Sequence, residues 1–442
     1  MTKRAAVLGL GKSGVSAANL AAKLKYKVFA SDSEKKRKIQ NLSSAVSVEF
    51  DGHTDRVLDN DIIIKSPGIH SDIPILKKAA IKKIPIISEL KFALNNSKYK
   101  KIIAITGTNG KTTTTDLISK IVKAHFKDSI VCGNIGFPLS DKALKTTKNT
   151  IISMELSSYQ LEDTPDFHPD ISVLLNITPD HIEHHKSMAN YIKAKQNILN
   201  NQTKNDFAII NYENTLCRKL SAAAKAKKIF FSKKPLKNGV YYNNGSFVFA
   251  FGGKTNQINP KINIVGLHNI ENILAACAAC FCAGIPLKTI EKTISSYKGA
   301  AHRIEFVKTI GGVDYYNDSK STTVDSTRAA LESFQNNIVL ILGGLDKGFS
   351  YTPIKKLIQQ KVKALLLIGS AANKIKKDLK GSSPIYDCFN IKKALQKAKA
   401  ISESGDTVLF SPACASFDQF KNFEERGDIF KALVLKVKKQ TR

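Results

Sequence analysis

The run Ala104-Ile105-Thr106-Gly107-Thr108-Asn109-Gly110-Lys111-Thr112-Thr113 decides the fold. Four β-type residues, Ile102 to Ile105, lead into a glycine-spaced turn, a Gly-Lys-Thr triplet and then a helical run. That order is the phosphate-binding loop of nucleoside-triphosphate enzymes, with Ala104 in the first glycine position. Gly107 and Gly110 let backbone N–H groups turn inward around an anion, and the helix that follows adds its positive end. Lys111 is placed to reach the β- and γ-phosphates, and the Thr112 hydroxyl to ligate Mg²⁺. Strand, loop and helix in that order imply an α/β protein built on a parallel sheet.

Three stretches differ in character. Residues 1–93 alternate β-type runs (Ala5 to Leu8, Lys27 to Ala30, Asp61 to Lys65, Ile84 to Ile87) with helical ones. Residues 94–299 carry the phosphate loop, and their insertion Lys233 to Asn259, rich in Gly, Asn and aromatics, reads as β-hairpin material. Residues 300–442 again alternate strands (Ile338 to Leu342, Ala364 to Ile368, Thr407 to Phe410) with helices. The expectation is three α/β domains: a Rossmann-like first, a central P-loop ATPase domain with a parallel sheet, and a Rossmann-like last. The first contains a second glycine turn, Gly9-Leu10-Gly11-Lys12-Ser13-Gly14, and Asp32 ends the next strand where a ribose-binding acid belongs. A triphosphate loop plus a separate cradle for a diphosphate implies a second ligand, either NAD or a nucleotide-linked sugar.

Two further segments each follow a β-type run. Glu155 comes after Thr150-Ile151-Ile152, and Asn176-Ile177-Thr178-Pro179-Asp180-His181 after Ile171 to Leu175. The C-terminal ends of parallel strands face the ligand crevice, so Glu155 and His181 belong beside the phosphate loop. A carboxylate and an imidazole there suit Mg²⁺ ions that neutralise phosphate charge. Zinc fits these histidines less well, because no thiolate accompanies them. Asp180 also reads as a helix N-cap, with His184 and His185 as surface residues.

Composition sets the class. Hydrophobic residues make up 43% and charged residues 24% of 442, which suits a globular protein. No apolar run approaches a membrane span, and the N-terminus enters a strand rather than a leader, so a cytosolic chain is expected. The net charge of +31 comes from 68 Lys and Arg, of which only eight are Arg. Dispersed Lys does not make the Arg-rich stripe that reads nucleic acid, and a nucleic-acid-driven NTPase is disfavoured. Seven cysteines without an export signal are expected reduced. Cys277, Cys280 and Cys282 lie in a small, apolar run that reads as a packed helix rather than a metal knuckle.

Taken together, Gly107 to Thr113, Glu155, Asn176-x-x-x-Asp180-His181, His268-Asn269-x-x-Asn272 and His302-Arg303 resemble the Mur ligases and their folylpolyglutamate synthase relatives along essentially the whole chain. Two stretches, Asn317 to Thr323 and Ser411 to Gly427, are similar to the members that add D-glutamate. The Asp-Asn-Pro-Arg motif of the members that add a diamino acid is absent. Many relatives carry an acid-Arg-His run after the Asp-His pair, where this chain has Glu183-His184-His185.

The resemblance implies a monomeric, ATP-dependent ligase of cytoplasmic peptidoglycan precursor synthesis. Its substrates would be ATP, UDP-N-acetylmuramoyl-L-alanine and D-glutamate, with two Mg²⁺ ions and neither nucleic acid nor membrane as partner. Lys111 would contact the γ-phosphate, Thr112 and Glu155 would hold one Mg²⁺, and His181 and a carbamylated Lys195 the other. Asn269, Asn272, Arg303 and Asp318 match contacts to ATP. Lys12, Ser13, Asp32, Gly68, Asn134 and His181 match the UDP-sugar side, and Thr322, Lys347, Ser416 and Phe423 the D-glutamate pocket. A nicotinamide-dependent oxidoreductase is the competing reading of the first glycine turn, and the phosphate loop argues against it.

Overall fold

Five parallel strands form the first sheet: β1 (Arg4–Leu8), β2 (Lys27–Ser31), β3 (Val46–Glu49), β4 (Ile62–Lys65) and β5 (Ile86–Ser88), in the order β3-β2-β1-β4-β5. The order reverses at β1, and the glycine turn follows that strand, so the turn opens at a topological switch point. The small residues Ala17, Ala18 and Ala21 of the helix Lys12–Lys23 are buried and let it lie close on the sheet. Gly14 is required there, because a Cβ would run into the carbonyl oxygen of Gly9. A strand was expected over Ile84 to Ile87. It begins at Ile86 instead, because Lys83 turns at φ 58° and Pro85 has no N–H to donate.

The computed structural model describes residues 2–134 and 136–436. Met1, Ile135, residues 437–442 and the side chains of Leu267 and His268 lie outside the described residues. The chain divides into two compact units, Met1–Pro260 with Ile270–Ile294, and Lys261–Asn269 with Ser295–Arg442.

The first unit also holds the central sheet: β6 (Lys101–Thr106), β7 (Ser129–Gly133), β8 (Ile151–Glu155), β9 (Ile171–Leu174), β10 (Phe207–Asn211), β11 (Lys227–Ser232), β12 (Gly239–Asn243), β13 (Ser246–Phe251) and β14 (Lys254–Ile258). Its order is β14-β13-β12-β11-β10-β9-β6-β8-β7. Pairing is parallel from β7 to β12, while β12, β13 and β14 form the expected antiparallel hairpins. Ile102 to Ile105 are fully buried between β8 and β9, which is why that run is apolar at every position. Cys277 and Cys280 are buried on the helix Leu267–Cys282, where burial pushes both thiols up and keeps them unreactive.

Polar contacts join the first sheet to the central segment within this unit. Lys65 Nζ pairs with Asp163 Oδ1 at 2.6 Å, both side chains being buried. Ser88 Oγ and Thr164 Oγ1 lie 2.7 Å apart, and Ser140 donates to the Glu89 carboxylate.

The second unit carries one sheet of β15 (Glu305–Ile310), β16 (Val313–Asn317), β17 (Ile338–Gly343), β18 (Val362–Ile368), β19 (Ile385–Phe389) and β20 (Thr407–Phe410), ordered β15-β16-β20-β17-β18-β19. Only β15 is antiparallel to its neighbour. Ile338, Leu340 and Leu342 face one core while Val339 and Ile341 face the other, so both faces are covered by helices. No helix among the described residues is long and apolar enough to cross a membrane.

Glu89 gives a pH test of this packing. Burial, opposed by the hydrogen bond from Ser140, pushes its carboxyl up to about 7 from an ordinary 4.5. Between those values the folded chain holds a proton that the unfolded chain has lost, so stability falls as pH rises through the window. Urea unfolding at both ends of the window should show that loss, and Glu89→Gln should remove it; an unchanged slope in the variant would contradict the assignment.

Candidate active site

The phosphate loop hangs between two strand ends. Leu156 N donates to Ile105 O on one side and Leu175 N to Thr106 O on the other, so β6 is held by both neighbours up to its last residue. Asn176 then fastens the loop itself. Its Oδ1 accepts from Asn109 N at 2.8 Å, its Nδ2 donates to Asn109 O at 3.1 Å, and its backbone O accepts from Thr108 N at 2.9 Å. Thr108 Oγ1 is tied to Tyr191 OH at 2.9 Å and accepts from Thr178 N at 3.0 Å. Gly110 sits at φ 83° with Asn272 Oδ1 where a Cβ would be, so only glycine fits. From Lys111 the helix Lys111–His125 begins, with Thr112 half-buried and Thr113 buried in its first turn. Lys111 Nζ donates to Gly107 O at 2.9 Å and Thr108 O at 2.8 Å, which keeps the ammonium at the mouth of the loop.

Glu155 ends β8 directly beside Ile105 of β6 and is 1% exposed. Asn134 Nδ2 donates to its Oε1 at 2.8 Å, while its Oε2 is buried without a hydrogen-bond partner. A buried carboxylate oxygen without a hydrogen-bond partner is available to a cation, and an oxygen donor beside a phosphate loop suits Mg²⁺. Lys195, on the helix Met188–Asn200, is also 1% exposed and reaches back to Gly107 O at 2.9 Å. Burial, and then the charge of Lys111, push its amine down to about 7. A neutral amine in that position is nucleophilic, which is what addition of carbon dioxide requires. His181 is exposed at φ 52°, with Nε2 3.4 Å from Asp180 Oδ2. His184 is mostly covered and His185 fully buried, so neither is the surface residue that the sequence suggests; Tyr159 packs on both rings.

At the first glycine turn, a cavity of about 410 Å³ is lined by Leu10, Gly11, Lys12, Ser16, Arg37 and Lys38 among others. Lys12 Nζ donates to Gly136 O. Ser13 is half-buried on the same helix. Asp32 accepts from Leu10 N at 2.6 Å and Glu34 N at 2.9 Å and pairs with Arg37 at 3.3 Å, so its carboxylate organises the turn. Gly68 lies exposed at φ 89° in the loop after β4.

In the second unit, Asp318 follows β16 and is 2% exposed. Burial lifts its carboxyl to about 6 against hydrogen bonds from Ser321 and Ser411. Arg303 is exposed nearby in the chain, and its charge lowers the Asp318 pKa. Asn269 Nδ2 donates to Val265 O at 2.6 Å; Asn272, by contrast, belongs to the first unit, where Thr114 Oγ1 lies 3.3 Å from its Oδ1. Thr322 is half-buried after the Asn317 turn, Ser416 is buried, Phe423 is half-buried with Lys320 Nζ 6.0 Å from its ring centroid, and Lys347 is exposed.

Arg426 is the residue that sequence reading passed over. Fully buried, it donates to Ser319 O at 2.7 Å, Ser319 Oγ at 3.0 Å, and the carbonyls of Cys414 and Ala415 at 3.1 Å each. One guanidinium thus holds together the loops after β16 and β20, and its presence in Glu424-Glu425-Arg426-Gly427 is the only signal the sequence offers.

Three family models match in order: a Mur ligase MurD-like N-terminal domain over residues 3–88, a Mur ligase middle domain over 105–280, and a Mur ligase glutamate ligase domain over 302–414. A UDP-N-acetylmuramoylalanine--D-glutamate ligase of Elusimicrobium minutum is 43% identical, covering 98% of this chain and 97% of that protein. The chain belongs to the Mur ligase family. A second relative of the same description, from Koribacter versatilis, is 39% identical over 99% of this chain and 98% of its own. Two Mur ligases of Thermotoga maritima share the fold. The UDP-N-acetylmuramate-alanine ligase superposes with a TM-score of 0.61 at 19% identity, over 98% of this chain and 99% of that one. The MurF ligase, solved with ADP, gives 0.60 at 15% identity, over 98% and 96%.

Replacing Arg426 in this Mur ligase removes the guanidinium from the buried carbonyls of Ser319 and Cys414, while Ala415 O keeps Leu345 N and Ser319 Oγ keeps Phe423 O. Arg426→Ala should lower unfolding free energy by about 3 kcal/mol or more, and Arg426→Lys should restore only part of it, because an ammonium lacks the planar fork. Denaturant unfolding of both variants checks this; a loss below about 1 kcal/mol would contradict it.

Proposed function

We propose that this chain joins D-glutamate to the alanyl carboxylate of UDP-N-acetylmuramoyl-L-alanine while ATP is cleaved to ADP and phosphate. The observation that carries the reading is the full-length likeness to a D-glutamate ligase, 43% identical over 98% of the chain. Residues 1–93 would bind the UDP-sugar, residues 94–299 ATP, and residues 300–442 the amino acid. The protein would act as a cytosolic monomer.

A carboxylate does not exchange oxygen for nitrogen unaided, because oxide is a hopeless leaving group. A carboxylate oxygen attacks the γ-phosphorus, ADP leaves, and an acyl phosphate forms. The amino nitrogen of D-glutamate, having lost its proton, adds to the acyl carbon; the tetrahedral adduct then expels phosphate, which keeps the former carboxylate oxygen. The protein's part is alignment and charge neutralisation. The N–H groups of Gly107 to Thr113 and the Lys111 ammonium would hold the β- and γ-phosphates, and Asn176 keeps that loop in shape. Thr112, Glu155, His181 and a carbamylated Lys195 would hold Mg²⁺, which when bound offsets phosphate charge. Asn269, Asn272, Arg303 and Asp318 would contact the rest of ATP. Lys12, Ser13, Asp32, Gly68 and Asn134 would serve the UDP-sugar, with Thr322, Lys347, Ser416 and Phe423 around D-glutamate. Lys347 supplies a cation for an amino-acid carboxylate.

Phosphate release by the purified chain should require ATP, the UDP-sugar and D-glutamate together, and should fail when another amino acid replaces D-glutamate. Release indifferent to D-glutamate would overturn the reading. Lys111→Ala should lower kcat by at least about 100-fold while calorimetric affinity for the UDP-sugar stays within about twofold of wild type.

A further inference from the structure

We propose that Glu162, His184 and His185 form a binding site for a first-row divalent cation of the zinc class, distinct from the Mg²⁺ set at the phosphate loop. Glu162 ends the short helix Ser158–Glu162, and the two histidines end the helix Ile182–His185. One ligand atom from each lies within 4.8 Å of the other two. His184 Nε2 is 2.8 Å from Glu162 Oε2, and His185 Nδ1 is 3.4 Å from Glu162 Oε1.

The decisive group is His185. Its side chain has no exposed surface, and its Nε2 lies 2.9 Å from Ser158 Oγ. Nδ1 has no hydrogen-bond partner although fully buried, and the Ser158 hydroxyl can accept the Nε2 proton and so leave the Nδ1 lone pair for a metal ion. Nδ1 stands 3.4 Å from a Glu162 carboxylate oxygen, on the buried side of a carboxylate that is itself partly open to solvent. A cation between them satisfies both, and the Ser158 contact is the outer-shell bond that fixes a ligating imidazole's tautomer.

Neighbouring imidazoles converge here because the backbone forces them to. The helix bearing them is bracketed by left-handed residues, His181 at φ 52° and Lys186 at 64°, and Asn190 Nδ2 holds His185 O at 2.8 Å. Tyr159 packs against both rings, and His70 stacks on His184 at 4.2 Å. Two imidazole nitrogens and one carboxylate oxygen form a zinc ligand set that leaves a fourth position for water, with no thiolate needed. Ligand atoms about 3.4 Å apart would suit a tetrahedral ion, so small side-chain movements suffice. The nitrogens also discriminate against Mg²⁺, which prefers oxygen. The carboxylate that completes the set is remote from the histidines in sequence, which is why the sequence offers no zinc pattern.

Co²⁺ titration of the full, nucleotide-free chain, followed by Zn²⁺ competition, tests the site. The expected result is one equivalent of Co²⁺ with four-coordinate visible bands and no thiolate charge-transfer band, displaced by Zn²⁺ and not by excess Mg²⁺. Glu162→Gln and His184→Ala, both at positions with solvent access, should each weaken Co²⁺ at least about tenfold with circular dichroism unchanged, and His181→Ala should leave it intact. A six-coordinate spectrum only, a thiolate band, affinity retained in both variants, or affinity lost in His181→Ala would each overturn the proposal.

Discussion

Binding a triphosphate requires several backbone N–H groups to point at one anion before it arrives, and a free loop of glycines would not hold them there. The clamp that Asn176 places on Thr108 and Asn109 supplies that constraint. It works because β9 delivers Asn176 at the level where β6 ends, and β8 delivers Glu155 on the opposite side. Parallel pairing thus converts three strand ends, distant in sequence, into one polar shelf. Lys195 and Tyr191 reach the same loop from a single helix face, with the amine buried against Gly107 O. Lys111 and the buried Lys195 thus meet Glu155, whose Oε2 has no hydrogen-bond partner, at the same loop.

The second unit solves a related problem by another route. The loops after β16 and β20 lie side by side, and a buried guanidinium holds them by their carbonyls. The Asp318 carboxylate is fixed nearby by Ser411 Oγ at 2.7 Å and Ile304 N at 3.2 Å. Each unit therefore spends buried polar groups at strand C-terminal ends, where the rest of the core is apolar, and it is these ends that carry the family motifs.

Much of this was readable in the sequence because the signals are local. The β6 strand, the glycine spacing and the Gly-Lys-Thr triplet are contiguous, and the alternation of strands and helices announces parallel sheets. The insertion of β8 between β6 and β7 is not local, and neither is the burial of Lys195, which on pattern alone is a lysine on a polar helix face. That the Asn134 amide also holds Glu155 is a contact the sequence does not announce. Arg426 resembles any surface arginine after two glutamates until the fold closes around it. The Glu162 carboxylate is brought to the histidines only by tertiary packing. What the sequence concealed in each case is which polar groups become buried together.

The central claim is that the phosphate loop exists to make a carboxyl group reactive by phosphorylating it. The most direct measurement is the fate of oxygen-18 placed in the alanyl carboxylate of the UDP-sugar. Turnover through an acyl phosphate predicts that one labelled oxygen per turnover appears in the released phosphate. Phosphate free of label, with amide still formed, would contradict the account.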